Sequence, residues 1–178
     1  MKLHLNTSPN DRQHITSSEE DGDPLENIFV GKNFEIHTQK DLIIDKDLVQ
    51  MLGANINKAI QYIASPIKRC VFLIVNDTKM IELHSRWCGE KNTTDVLTFN
   101  EGSFCIEADI AICLDEAKRK LPNNVIKEMT LYSIHGLLHC SGFDDKTKCQ
   151  SIEMHKEENR IGYAIGIDSL FDKSETAK

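Results

Sequence analysis

The continuous apolar run CVFLIV at residues 70–75 constrains the fold more than any other segment. A strand with one exposed face alternates apolar and polar residues, whereas a strand covered on both faces is apolar throughout. The run therefore predicts a strand that is covered on both faces. With 40% hydrophobic and 28% charged residues, the chain has the composition of a globular protein and not of a disordered one. Its 178 residues suffice for one domain.

The other elements are predicted from the period of the apolar residues and from helix-capping signals. Even-numbered apolar residues within 27–36 predict one strand, and helical spacing predicts a helix over 48–63 with Asp45 or Asp47 as its N-cap. The element order is β-α-β-α-β-β-α-α-α, which predicts an α+β fold with a mixed sheet of about four strands packed with helices. The later elements are a helix opened by Asn76, strands at 95–99 and 106–113, and helices at 114–120, 125–140 and 147–164.

The domain limits are predicted from a change in composition along the chain. Residues 1–26 are polar, and residues 1–50 hold ten acidic side chains against five basic ones. We expect a flexible polar extension at 1–26, a single domain at 27–170 and a C-terminal tail at 171–178.

Composition and charge exclude several classes of protein. No window approaches eighteen uninterrupted apolar residues, and the N-terminus lacks the apolar centre of a secretory signal. Six cysteines without C-x-x-C spacing are typical of reduced thiols, so we expect a soluble, cytoplasmic protein with no membrane partner. The net charge of −7 argues mildly against nucleic acid as a partner, although Lys118, Arg119 and Lys120 form a local positive cluster.

The stretch from His135 to Asp145 contains the side chains that most clearly indicate a functional site. Two histidines four positions apart on a helix, His135 and His139, project side by side and can bind one metal ion. Gly142 permits a left-handed turn after the helix, which returns Asp144 or Asp145 towards the imidazoles. Two nitrogens and one carboxylate oxygen would leave a tetrahedral zinc ion with one position for water, as in a catalytic site. The same spacing also arises by chance, with one histidine in the core and the other on the surface.

The residue after the first histidine separates this motif from that of the zinc peptidases. In H-E-x-x-H, the glutamate next to the first histidine is the general base. Here that position is Gly136, which cannot accept a proton. The motif therefore disfavours a peptidase mechanism, and it contains no obvious general base.

Residues 135–144 match the pattern H-G-x-L-H-x-x-G-[YF]-D, which closely resembles the signature of the YbeY family of bacterial endoribonucleases. Residues 83–99, LHSRWCGEKNTTDVLTF, resemble the family's L-N-x-x-[YF]-R-G-x-D-x-P-T-D-V-L-S-F, and residues 108–113 resemble its G-D-I-x-I-C. The similarity extends in order over about residues 70–160. It implies a metallohydrolase domain with a zincin-like metal site on a core helix.

The resemblance also implies which residues hold the metal. His135 and His139 match the first two zinc-binding histidines, and the third family histidine falls on Asp145. One Zn²⁺ ion is expected, but a carboxylate is a harder ligand than imidazole, so another divalent metal would also suit the site. Cys88 stands where the family has an arginine considered important for activity, and no residue is assigned a catalytic role.

The function implied by the resemblance is that of a zinc-dependent, single-strand-specific endoribonuclease. Such an enzyme would act in late rRNA processing, at the 3′ end of 16S rRNA, and in ribosome quality control. Its partners would be single-stranded rRNA, the small ribosomal subunit and the assembly factors of that subunit. Two alternatives stay open: a ribosome-associated binding factor with a structural or vestigial metal site, and a metallohydrolase of another substrate.

Overall fold

The computed structural model describes residues 26–102, 104–168 and 170. The predicted extension at 1–26, apart from its last residue, and the predicted tail at 171–178 lie outside the described residues, so both limits stay predictions. The described residues form an α+β fold, as predicted. Its strands are β1 (Glu26–Val30), β2 (Phe34–Thr38), β3 (Ile67–Val75), β4 (Val96–Asn100) and β5 (Ile106–Cys113), and its helices are α1 (Lys46–Ala59), α2 (Asp77–Cys88), α3 (Leu114–Lys120), α4 (Val125–Cys140) and α5 (Lys148–Ala164), with a 3₁₀ turn at Ile60–Tyr62.

The sheet is mixed and has the strand order β1-β2-β3-β5-β4. Strands β2, β3 and β5 are parallel, whereas β1 and β4 pair antiparallel at the two ends of the sheet. Strand β3 lies in the middle, and all of residues 70–75 are buried. The prediction from the continuous apolar run is therefore confirmed, since a parallel strand between two layers has no solvent-exposed face.

The segment at residues 27–36 differs from its prediction as one strand. It contains the end of β1, a reversal at residues 31–33 and the start of β2, so the sheet has five strands in place of about four. The N–H of Gly31 donates to the carbonyl oxygen of Phe34 over 2.8 Å and closes the hairpin. Phe34 and Ile36 share the buried face, but Val30 is 67% exposed and Phe29 packs against the core, so the even-numbered residues do not form one face across the turn.

Helices cover both faces of the sheet. One core lies between the sheet and helices α1, α4 and α5, and a smaller core lies under α2 on the opposite face. Helix α4 contacts α1, α3, α5, β4 and β5, so it is surrounded by other elements. The sequence predicts one broad apolar face for α4, yet Leu131, Ile134 and Leu138, outside that face, are buried as well. A helix enclosed in this way is apolar on all sides, and its few polar residues lie in the interior.

Several local predictions are confirmed. Asp45 is the N-cap of α1, and Asn76 is the N-cap of α2. Thr147 and Gln150 form the capping box that begins α5. All six cysteines are free thiols. Among the described residues, no helix combines the length and the apolar character that a membrane span requires.

Candidate metal centre

Helix α4 brings the two histidines of the motif together near its C-terminal end. The Nε2 atoms of His135 and His139 lie 2.9 Å apart, and the two rings are nearly perpendicular. The Nδ1 atom of His135 contacts a carboxylate oxygen of Glu158 at 2.6 Å, and Nδ1 of His139 contacts the carbonyl oxygen of Phe143 at 3.1 Å. Each ring is therefore fixed through its Nδ1 atom, and the two Nε2 atoms face each other.

The partners of the Nδ1 atoms determine the tautomers of the two rings. A carbonyl oxygen and an ionised carboxylate only accept hydrogen bonds, so Nδ1 carries the proton in both His135 and His139. The Nε2 lone pairs of the neutral rings then face each other and repel unless a proton or a metal ion lies near both. Two nitrogens bound to one tetrahedral zinc ion lie about 3.4 Å apart, a spacing that these rings reach by a movement of about 0.5 Å. The donor set therefore fits a divalent cation.

The loop after α4 adds a carboxylate to this pair. Gly142 has φ 100°, and its N–H donates to the carbonyl oxygen of His139, so the chain turns back as the sequence predicts. An oxygen of Asp145 lies 3.7 Å from Nε2 of His135. The nearest donor atoms of His135, His139 and Asp145 all lie within 4.8 Å of one another.

Asp144, the other carboxylate left open by the sequence, has different contacts. Its side chain accepts a hydrogen bond from the backbone N–H of Asp145 and pairs with the Lys146 ammonium at 3.2 Å. Burial alone would raise the pKa of Asp144, but these contacts together outweigh burial and hold the pKa below its usual range. Asp144 therefore shapes the returning loop, and Asp145 is the carboxylate that joins the histidines.

Gly136 allows α4 to approach the sheet. A Cβ atom at this position would lie 2.9 Å from Cγ2 of Ile110 and 3.1 Å from Oγ1 of Thr98. These distances are shorter than ordinary van der Waals contacts, so a side chain fits there only if the side chains of Ile110 and Thr98 give way. The glycine that replaces the peptidase glutamate thus has a packing role, and it places the turn between the two histidines directly on the sheet.

Glu158 is the residue of this site that the sequence analysis missed. It comes from α5, its side chain is 1% exposed, and it accepts the hydrogen bond from His135. A signal for it was present in the sequence. Glu158 occupies the same helical face as Met154, Ile161 and Gly162, and a carboxylate on a buried face needs a specific partner.

A match to a family model agrees with this geometry. The family described as Endoribonuclease YbeY matches residues 33–166 of the chain, which is more than half of the sequence. The chain belongs to the YbeY family. The resemblance noted in the sequence is thereby confirmed, and it extends beyond the motifs to β2, α1 and α5.

Two curated relatives, both named Endoribonuclease YbeY, illustrate the distance within the YbeY family. The protein of Anaeromyxobacter sp. is 32% identical over 102 residues, which are 53% of this chain and 53% of the relative. The protein of Elusimicrobium minutum is 29% identical over 120 residues, which are 62% of this chain and 84% of the relative. The chain thus spans about half the length of the first relative and most of the second.

A solved structure shares the fold. A solution structure of a protein from Thermotoga maritima matches with a TM-score of 0.50 and 23% sequence identity, covering 74% of this chain and 88% of that chain. At this level of identity the match supports the α+β architecture only.

Cys88, at the position of the YbeY family arginine, lies away from the histidines. It ends α2 and packs with Trp87 and Phe99 in the smaller core, on the sheet face opposite α4. Burial raises the pKa of the Cys88 thiol. The guanidinium of the nearby Arg86 lies 5.4 Å from the centre of the Trp87 ring.

The predicted positive cluster on α3 is partly neutralised. Arg119 pairs with both Asp77 and Glu116, so its charge is already matched by two carboxylates. Lys118 and Lys120 are exposed at the end of the same helix. The α3 cluster is therefore a weaker anion site than its sequence indicates.

The two imidazoles have opposite pKa shifts. Burial opposes the charged form of His135, but the hydrogen bond and the negative charge of Glu158 outweigh burial, so the pKa of His135 is raised. Burial and the neighbouring charge of His135 lower the pKa of His139 to about 4. In the metal-free protein, His135 therefore takes up a proton at a higher pH than His139 does.

These shifts predict how metal affinity depends on pH. A metal ion needs a neutral imidazole, so a proton on Nε2 of His135 competes with it directly. We expect full affinity above the raised pKa of His135 and a loss of about tenfold per pH unit below it. Titration with Co²⁺ between mildly alkaline and mildly acidic pH measures this dependence. An affinity that stays constant down to about pH 5, where only His139 remains neutral, would contradict the assignment of His135 as a ligand.

Proposed function

We propose that this chain is a metal-dependent endoribonuclease that cleaves single-stranded RNA, with the cation held by His135, His139 and Asp145. The observation that carries the proposal is the convergence of these three side chains in a member of the YbeY family. A divalent cation in such a site lowers the pKa of a water molecule and stabilises negative charge on a phosphate oxygen. Zn²⁺ suits the two imidazole nitrogens, and Asp145 also suits a harder divalent metal.

The residues on one side of the site orient the groups that would hold a cation, and the other side is open to RNA. Glu158 and the carbonyl of Phe143 fix the two imidazoles from the interior. Asp145 is 35% exposed, so the opposite side of the site is open to solvent and to substrate. Lys148 and Lys146, the latter paired with Asp144, follow Asp145 in the sequence and are exposed, so they can contact phosphates of an RNA strand. In a chain with a net charge of −7, binding of RNA depends on such local cations.

The proposed substrate is single-stranded rRNA, at the 3′ end of 16S rRNA, in the cytoplasm. The small ribosomal subunit and its assembly factors are the proposed partners, and ribosome quality control is the proposed setting. The names of the curated relatives support RNA as the substrate class, and the ribosomal substrate, partners and setting rest on the resemblance to the YbeY family.

Cleavage of a labelled RNA with the sequence of a 16S rRNA 3′ end tests the proposal. We expect metal-loaded protein to cut the single strand and to spare a fully paired duplex of the same sequence. A panel of peptides, run in parallel, covers the metallohydrolase alternative. Turnover of peptides without cleavage of RNA would contradict the proposal.

A ribosome-binding factor with a structural metal is the second candidate. Two observations favour it: Asp145 replaces the third family histidine, and Cys88 replaces the family arginine and is packed in the smaller core. Normal association of metal-free protein with small ribosomal subunits, together with no cleavage by the metal-loaded protein, would support this candidate over the nuclease.

Replacing Asp145 by histidine is expected to change the choice of metal. An imidazole is softer than a carboxylate and completes the three-histidine set of the YbeY family, so the preference for Zn²⁺ over Mn²⁺ should rise by about tenfold or more. Competition titrations of the two metals measure the ratio. The matched control is D144H, because Asp144 pairs with Lys146 and lies outside the ligand group. An unchanged ratio in D145H would show that Asp145 does not bind the ion.

A further inference from the structure

Glu158 is a buried acid without a matching positive side chain. One of its oxygens accepts the hydrogen bond from His135, and the other, Oε2, is buried with no hydrogen-bond partner among the described residues. Within the described part of the chain, His135 is the only ion-pair partner recorded for this carboxylate. The surrounding face of α5 is formed by Met154, Ile161 and Gly162, which offer no charge.

A buried carboxylate of this kind needs a compensating charge. Transfer of an unpaired charge from water to a protein interior costs several kcal/mol, and one hydrogen bond from a neutral imidazole offsets only part of this cost. A positive charge at Nε2 of His135, from a proton or a metal ion, supplies further compensation to Glu158 through the ring. That atom faces His139 and Asp145 in the candidate metal centre.

We infer that Glu158 is a positioning residue that couples metal binding to the docking of α5. It fixes the tautomer of His135, and its charge strengthens the hold of that imidazole on a cation. The cation in turn compensates the buried carboxylate and stabilises the packing of α5 against α4. This inference rests on the metal centre proposed above, but it is independent of whether RNA is the substrate.

Cobalt titration of three variants tests the coupling, with Co²⁺ alone as the probe and its visible absorption as the readout. E158Q keeps the shape of the side chain and an oxygen that accepts from Nδ1, but it removes the charge, so we expect about tenfold weaker binding. E158A removes the hydrogen bond as well and should weaken binding by about a hundredfold. The matched control is E157Q on the same helix, because Glu157 is paired with Arg160 on the outer side, and its affinity should stay within about twofold of wild type.

Thermal unfolding with and without Co²⁺ separates coupling from a merely structural role. Wild-type protein should gain melting temperature on addition of Co²⁺, and E158Q should gain much less. Without metal, and at a pH above the raised pKa of His135, E158Q should melt at the same temperature as wild type or higher, because the ring is neutral there and the uncompensated charge is gone. Even if E158A does not fold, E158Q decides the question.

Three results would overturn the inference. One is Co²⁺ binding by E158Q with the affinity of wild type. Another is the absence of Co²⁺ binding by the wild type. The third is an equal loss of melting temperature in E158Q with and without Co²⁺, which is the behaviour of an ordinary packing residue. Failure of RNA cleavage alone, with the coupling intact, would count against the proposed nuclease function and leave the role of Glu158 in place.

Discussion

A variant with alanine at both His135 and His139 is expected to lose the metal and the activity together. The two imidazoles supply two of the three donors, and the remaining carboxylate of Asp145 is 35% exposed and would bind a cation only weakly. We expect metal affinity to fall by roughly a thousandfold or more, and RNA cleavage to fall to the background of the assay. Isothermal titration with Zn²⁺ and cleavage of the single-stranded RNA measure the two effects.

The control for this variant is H37A. His37 lies on β2, pairs with Glu35 and belongs to no group of potential ligands among the described residues. The H37A variant should bind metal and cleave RNA as the wild type does. If the double variant retains tight binding of one metal ion, the site lies elsewhere and the account of α4 is wrong.

Valine at position 136 is expected to have the second-largest effect, because it tests the approach of α4 to the sheet. Its Cβ would lie 2.9 Å from Ile110 and 3.1 Å from Thr98, and its two methyl groups need further space. We expect a loss of about 2–3 kcal/mol in the free energy of unfolding, or about 5–10 °C in melting temperature. Because the clash acts on the helical turn between His135 and His139, metal affinity should fall as well. Urea unfolding and Zn²⁺ titration measure the two effects.

Two further variants show whether the cause is steric. G136A adds only one carbon and gains about 1 kcal/mol of helix propensity, so its loss should be clearly smaller than that of G136V. The double variant G136V/I110A removes the side chain that would clash, and its loss should be at least about 1 kcal/mol smaller than the sum of the single losses. Strict additivity would mean that Gly136 and Ile110 do not interact, contrary to the structure.

The parts of the fold that follow from local signals were predictable from the sequence. The central strand β3, the cap of α1 at Asp45 and the capping box of α5 at Thr147 each depend on residues close together in the chain. The hairpin between β1 and β2 was not predicted, because the even-numbered apolar residues on the two sides of its turn have the spacing of a single strand. The burial of Leu131, Ile134 and Leu138 on α4 was not predicted either, since it depends on helices that are distant in sequence.

In the candidate site, too, the residues that lie close together in the sequence were predictable and the distant one was not. The motif itself places His135 and His139 on one helix, and the glycine after them predicts the returning loop. The sequence leaves open the exact path of that loop, which in the structure places Asp145 beside His135 and Asp144 beside Lys146. Glu158 approaches from another helix, 23 positions away from His135, and only its place on a buried face hints at a role.

X-ray absorption at the metal edge of protein purified without added metal tests the central claim most directly, together with metal analysis by mass spectrometry. The claim is that one cation is held by two imidazole nitrogens and one carboxylate oxygen. We predict one ion per chain, with a first coordination shell of nitrogen and oxygen that includes the scattering pattern of two imidazoles. A shell that contains sulfur, or a shell without imidazole, would contradict the account.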